Sequence, residues 1–374
     1  MDISFLLGSG ISIPSKVSGV DQVTEKLLKG KWAIQNNQYI EVDDEDHRND
    51  PRILSIQKLL LRIQERYSSD HHRLNYEELF YVVDSFKNYD LHPHENFIYE
   101  TEFNYFEEFF NEVLKPDKWY DFEMVLNEIF KFFQSTISYV LQQHDEIKGF
   151  ELLEEIQEDP EVEICNLFTL NHDVLIERYF DQKNFDYNSG FNEKDGDVNL
   201  FNFNSLESNE DDFRIIKLHG SINWFSFSQE SGRIKQTRYG IPEAKKELHQ
   251  LKNNEGENYE PLFDYPHFLS GTQNKIIDYN NSTFFELRNY FFRKLEQSNN
   301  LIASGYGWRD DGIDQVIYNW LNKSKNNRIH FLYDNLEDDT GFRTLEFYKS
   351  RDQIVDYEVY LQNAEWSNIK QNLS

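Results

Sequence analysis

The sequence predicts an α/β protein, a Rossmann-like parallel sheet with helices on both faces, carrying a mainly helical insertion. Three observations predict it. Five short apolar runs end in turn-forming or polar residues, helical patterns follow three of them, and a glycine turn, Gly8-Ser9-Gly10-Ile11-Ser12, stands directly behind the first. Continuous apolar runs of that length suit parallel strands buried on both faces. Their alternation with helices argues for α/β topology.

In chain order, Ile3 to Leu7 reads as the first strand, and the pattern from Val20 to Leu28 as a helix after its turn. Glu163 to Leu170 is the second strand, with a helical pattern from Val174 to Phe180. Arg214 to Leu218 and Asn300 to Ser304 follow, then a helix over Ile313 to Asn322 and a fifth strand over Arg328 to Tyr333. The stretch from Pro51 to Gln157 has a different texture, with apolar residues at helical spacing in Leu59-Leu60-Leu61-Arg62-Ile63 and in Phe122 to Leu141. Its aromatics at Tyr105, Phe106, Phe109 and Phe110 are assigned to packing between helices rather than to a ligand cavity. Gln182 to Asp212 and Lys252 to Glu260 are rich in turn formers and read as loops or hairpin excursions. The expected organisation is one domain over 1–374, with a core of 1–30, 158–230 and 285–374. A helical insertion over 51–157 and a loop-rich insertion over 231–284 interrupt it.

Composition narrows the function classes. Hydrophobic residues make up 39% of the 374 positions and aromatics 16%, enough large apolar surface to close a core. Lys and Arg number 38 against 67 Asp and Glu, a net charge of -29 that repels a phosphate backbone, so no direct nucleic-acid binding is expected. The acidity serves either solubility or a basic partner, and charge does not separate the two. A single cysteine, Cys165, excludes an intramolecular disulfide and a four-cysteine zinc site, and its apolar neighbours make it a small buried filler of a strand. Asp2 stands where a signal peptide carries positive charge, and no apolar run reaches the ~20 residues that span a bilayer. A cytoplasmic protein with no membrane partner is expected.

Four motifs carry chemistry. In Gly8-Ser9-Gly10-Ile11-Ser12, glycine lets the backbone turn sharply and approach a pyrophosphate, whose charge the amides at a helix N-terminus would meet. A purely conformational need for glycine in a strand-to-helix connection is the competing explanation. In Thr169-Leu170-Asn171-His172-Asp173, polar side chains at a strand's carboxyl end project into the ligand crevice, or else terminate the strand and cap the next helix. In Lys217-Leu218-His219-Gly220-Ser221-Ile222-Asn223-Trp224, an imidazole beside a glycine makes His219 the best general-base candidate, against the commoner role of a satisfied polar residue. Gly305-Tyr306-Gly307-Trp308-Arg309-Asp310 offers a loosened loop suited to ribose or adenine contacts, or plain turn chemistry.

Together and in this order, the four motifs resemble the sirtuin-like (silent-information-regulator-like) NAD-consuming superfamily, over about Met1 to Lys29, Glu161 to Phe225 and Gln297 onward. The resemblance implies that Gly8, Ser9, Gly10 and Ser12 form the phosphate-binding turn. It places Asn171 and Asp173 around the nicotinamide ribose and carboxamide, and makes His219 the catalytic histidine with Asn171 beside it. Gly220, Ser221, Gly305, Tyr306 and Asp310 become further contacts to NAD+. Departures redirect the expected activity. Leu170 stands where protein deacylases show glutamine, Ile13-Pro14-Ser15-Lys16 replaces their arginine-bearing loop, and one cysteine cannot build their zinc module.

The chain is more similar to the bacterial anti-phage defence branch, which hydrolyses NAD+ to nicotinamide and ADP-ribose and so depletes it. That resemblance implies NAD+ as substrate, no zinc, a homo-oligomer, and a hexameric DNA-translocating ATPase as partner, since the chain has no Walker sequence of its own. A catalytically silent NAD or ADP-ribose sensor, or scaffold subunit, is the alternative, with NAD-dependent deacylation third.

Overall fold

Six parallel strands form the central sheet: β1 (Asp2–Leu7), β2 (Ile164–Thr169), β3 (Phe213–Lys217), β4 (Asn300–Ser304), β5 (Arg328–Leu332) and β6 (Ile354–Asp356). Their order across the sheet is β3-β2-β1-β4-β5-β6. This is the doubly wound arrangement of dinucleotide-binding folds, whose strand order reverses between β1 and β4. The computed structural model describes residues 1–35, 38–42, 50–69, 72–91, 122–144, 146–208, 212–231, 234–243, 246–270, 282–333 and 342–373. Tyr105, Phe106, Phe109 and Phe110 lie outside them.

Both faces of the sheet are covered, which is why its strands read as mainly apolar runs rather than as an apolar-polar alternation. Alternate residues serve opposite cores. Ile3, Phe5, Leu7, Cys165, Leu167 and Ile215 pack with Leu152, Leu153, Ile176, Phe180 and Trp366. Leu6, Phe168, Ile216, Leu301 and Ala303 pack on the other side with Leu287, Tyr290, Phe291, Ile317 and Trp320. Each Leu, Ile or Phe among them contributes ~1.5–3 kcal/mol on leaving water. Cys165 is fully buried, and burial pushes its thiol well above the ordinary range.

Crossover helices observed are Leu175–Lys183 after β2, Ser282–Glu296 before β4, Asp311–Lys323 after β4 and Phe342–Lys349 after β5. A second, antiparallel sheet of five strands spans Glu193–Asp195, Val198–Leu200, Phe225–Ser231, Ile234–Pro242 and Glu260–Pro261. Its first hairpin, turned by Gly196 at positive φ, falls in Gln182 to Asp212, the stretch read as loops or hairpin excursions.

Two units make up the chain. The first, residues 1–17, 144–269 and 276–374, holds both of these sheets. The second, residues 18–143 and 270–275, holds helices Val20–Lys29, Pro51–Tyr67, Tyr76–Leu91 and Phe122–Gln142 with a hairpin of Trp32–Gln35 and Gln38–Glu41. Asp50 caps the helix Pro51–Tyr67 by accepting from the Arg52 amide at 2.9 Å, and Pro51 sits where a missing N–H costs nothing. Trp32 is fully buried and packs edge-on against Phe132 and Tyr139. Among the described residues no helix is long and apolar enough to cross a membrane.

Register positions the chemistry. Lys217, Thr169, Leu7, Ser304 and Leu332 form one row across the sheet. The four motifs therefore leave the sheet at one level, at its carboxyl edge.

Candidate active site

The first motif departs from the expected strand-to-helix turn. After β1 the chain enters a 3-10 turn over Ser9–Ser15, interrupted by Pro14 and closed by Lys16 in the left-handed region. Three amides there are already engaged: Gly8 N donates to Ser304 O at 3.0 Å, Gly10 N to Gly305 O at 3.0 Å and Ile11 N to Gly8 O at 3.2 Å. The glycines have a packing reason. A Cβ on Gly8 would lie 2.4 Å from Gly305 O, and one on Gly10 2.7 Å from Gly305 Cα. Gly305, at φ 66, returns the constraint, since a Cβ there would stand 2.6 Å from Ile11 N. The two loops at the switch point touch backbone to backbone. Ser9 is exposed at the start of the turn, whereas Ser12 is buried.

Ser12 joins the first motif to the second. Its Oγ donates to Asp173 Oδ2 at 2.8 Å and accepts from Asn171 Nδ2 at 3.0 Å. All three side chains are buried. Asp173 Oδ1 meanwhile accepts from Leu175 N at 3.1 Å, at the start of the helix Leu175–Lys183. One carboxylate thus turns the chain into the helix and joins the site, one oxygen for each. The Asn171 amide donates to Thr169 Oγ1 at 3.1 Å, turning the chain off the strand.

The third and fourth motifs meet at His219 and Asp310. His219 Nε2 lies 2.8 Å from Asp310 Oδ2, with both side chains buried. Asp310 Oδ1 accepts from Ile313 N at 2.9 Å and caps the helix Asp311–Lys323. A carboxylate on Nε2 favours the N–H at that nitrogen and leaves Nδ1 as the ring's basic atom. Gly220, at φ 77, lets the chain pass His267 O, which a Cβ would meet at 2.8 Å. Leu269 N donates to His219 O at 2.8 Å. Ser221 Oγ donates to His172 O at 3.2 Å, and the His172 and His219 rings are 6.0 Å apart between centroids. Motifs two and three are thereby tied together.

Tyr306 supports the pair from behind. Its hydroxyl donates to Asp314 Oδ1 at 2.6 Å and accepts from Asp310 N at 3.3 Å. Burial pushes the Asp314 carboxyl up to about 7, and it also holds the Tyr306 phenol well above its usual value. Asp314 had no motif to announce it.

Lys217 opens the third motif with no role read for it, and Glu177 belongs to no motif. Lys217 is 3% exposed, and its Nζ donates to Asn171 O at 3.2 Å, donates to Asp173 O, and pairs with Glu177 at 3.3 Å. Burial pushes the Glu177 carboxyl up, against the pull of the Lys217 ammonium. The signal available was a lysine closing the otherwise apolar end of Phe213-Arg214-Ile215-Ile216-Lys217. Among the described residues no group of three or more His, Cys, Asp or Glu is placed to hold a metal ion.

A family model described as SIR2-like domain matches residues 166–352. Among solved structures, the crystal structure of a Sir2 homolog–NAD complex is similar to this chain at 10% identity, covering 100% of this chain and 91% of that one, with a TM-score of 0.37. A structure addressing the basis of sirtuin substrate affinity is similar at 12% identity, covering 99% and 92%, with a TM-score of 0.36. No curated protein matches the chain.

Proposed function

Because the chain belongs to the SIR2-like domain family, whose function is NAD-related, we propose that it is an NAD+ glycohydrolase, cleaving NAD+ with water to nicotinamide and ADP-ribose. The observation that carries this reading is the buried His219–Asp310 pair, set at the same sheet edge as the Ser12–Asn171–Asp173 cluster.

In this reading NAD+ lies across the carboxyl edge of β1 and β4, against Gly8, Ser9, Gly10 and Ser12 on one side and Gly305 and Tyr306 on the other. Gly220 and Ser221 border the nicotinamide end. Asp173 anchors the carboxamide, and Asn171 positions water or the ribose. The C1′–N bond breaks with its electron pair going to the pyridinium nitrogen, which leaves as neutral nicotinamide. The water oxygen bonds to C1′ of the oxocarbenium-like ribose. His219 takes the proton from that water or from a ribose hydroxyl and returns it to solvent, a step worth ~100 to 10,000-fold. Asp310 takes on a different part from the cofactor contact that the motif alone suggested: it holds the imidazole in the tautomer whose Nδ1 is basic.

The biological setting proposed for this activity is NAD+ depletion in bacterial anti-phage defence, by a cytoplasmic homo-oligomer paired with a hexameric DNA-translocating ATPase. The test of the chemistry is free nicotinamide released from NAD+ by wild type, His219→Ala and Asn171→Ala, with and without such a partner. Turnover in wild type alone supports the reading. Equal rates in all three sink it.

A further inference from the structure

We propose that Lys217 is a positioning residue of this site: its buried ammonium, balanced by Glu177, holds the carbonyl oxygens of Asn171 and Asp173 and so sets the backbone that aims both side chains. The inference rests on the NAD+-cleaving reading for its effect on turnover, and on geometry alone for the clamp.

Three acceptors surround Nζ, the Asn171 and Asp173 carbonyls and the Glu177 carboxylate, matching the three donors of an ammonium. A lysine 3% exposed is costly, and a lone buried charge more so. Glu177, in the first turn of the helix Leu175–Lys183, meets that cost with its own buried carboxylate. Lys217 also stands opposite Thr169 in the sheet, and Leu218 N donates to Thr169 O at 2.9 Å. The end of β3 thus grips the chain leaving β2 twice, once by backbone and once by side chain. Two residues further on, the same strand end delivers His219. Lys217 therefore couples the position of the candidate base to those of Asn171 and Asp173 at the neighbouring strand end, without touching substrate.

Buried ion pairs can often be replaced by apolar pairs at little cost in stability, whereas removing one partner is severe. This separates positioning from folding. The experiment compares wild type, Lys217→Met and the double variant Lys217→Met/Glu177→Leu by thermal unfolding, by hydrogen exchange of the 171–175 amides, and by nicotinamide release. The expected result is that the double variant regains the stability lost in Lys217→Met. Its 171–175 amides still exchange about 10-fold faster than wild type, and kcat stays about 100-fold down, the penalty of a small misplacement. Recovery of both exchange protection and kcat along with stability overturns the proposal. If the double variant does not fold, Lys217→Arg decides the matter, since a planar fork cannot reproduce three converging donors: faster exchange supports the clamp and wild-type exchange overturns it. If wild type releases no nicotinamide, the proposed function fails, and the exchange data still decide the clamp.

Discussion

His219 and Asp310 meet across the sheet rather than along it. Their side chains are 2.8 Å apart, yet β3 and β4, from which their loops spring, are separated by β2 and β1. At ~4.8 Å between neighbouring strands, the two loops close a gap of roughly 14 Å. The pair therefore spans the strand ends that deliver Ser12, Asn171 and Asp173.

Asp310→Asn tests what the carboxylate does. Asparagine still caps the helix Asp311–Lys323, so the fold should survive. Loss of the charge frees the imidazole to take the other tautomer, and kcat for nicotinamide release is expected to fall ~100 to 10,000-fold with KM little changed. An unchanged kcat would remove Asp310 from the mechanism.

Gly8→Ala should separate the two loops of the switch point. The added methyl meets Gly305 O and Tyr306 Cα at 2.4 and 2.6 Å, both backbone atoms that cannot swing aside. A loss of ~1–3 kcal/mol in stability and of NAD+ binding is expected. Gly307→Ala is the control, because nothing lies within 4 Å of its added carbon. Calorimetry and thermal unfolding read both variants, and equal behaviour of the two would refute the packing argument.

Ser12→Ala removes the hydroxyl shared by Asn171 and Asp173. Two buried polar groups lose a partner, at ~1–3 kcal/mol. Weaker NAD+ binding in titration calorimetry should accompany a lower unfolding temperature. Wild-type affinity in a destabilised variant would show that the link is structural only.

Asp314→Asn is expected to reshape stability against pH. An acid with an ordinary value of 3.8, pushed up to about 7 by burial, takes up a proton on folding between those limits. Stability from this group therefore falls as pH rises through that window, and the penalty is complete above it. Asparagine removes the penalty while still accepting from Tyr306, so the variant should be the more stable protein at pH 8, by on the order of 1–3 kcal/mol. The buried imidazoles of His267 and His330, both held at about 4, tilt the two proteins alike and cancel in the difference. Parallel stability curves from pH 4 to 8 would contradict the assignment.

Five of the six central strands were legible because cores on both faces demand mostly apolar residues, as in Phe5-Leu6-Leu7. The sixth, Ile354–Asp356, is three half-buried residues at the edge and leaves no such run. For the antiparallel sheet the polar texture allowed a hairpin excursion around Glu193-Lys194-Asp195, but not the joining of that hairpin to Ile234–Pro242 and Phe225–Ser231 in one sheet. Asn171, Asp173 and His219 were visible as polar residues closing apolar runs. Their supports were not: Lys217, Glu177 and Asp314 are charges whose partners become neighbours only in the fold. The glycines at 8 and 10 were legible as a need for space, but what fills that space is Gly305.

The register row that ends in Leu7, Thr169, Lys217 and Ser304 also sets a timetable. Phe5 of β1 faces Ile302, so β1 waits for a partner strand that is made long after it. Asp310 lies later still. During synthesis the chain carries Asn171 and His219 long before it carries the carboxylate that orients the imidazole. The His219–Asp310 pair therefore closes only once β4 has followed β1, β2 and β3 out of the ribosome.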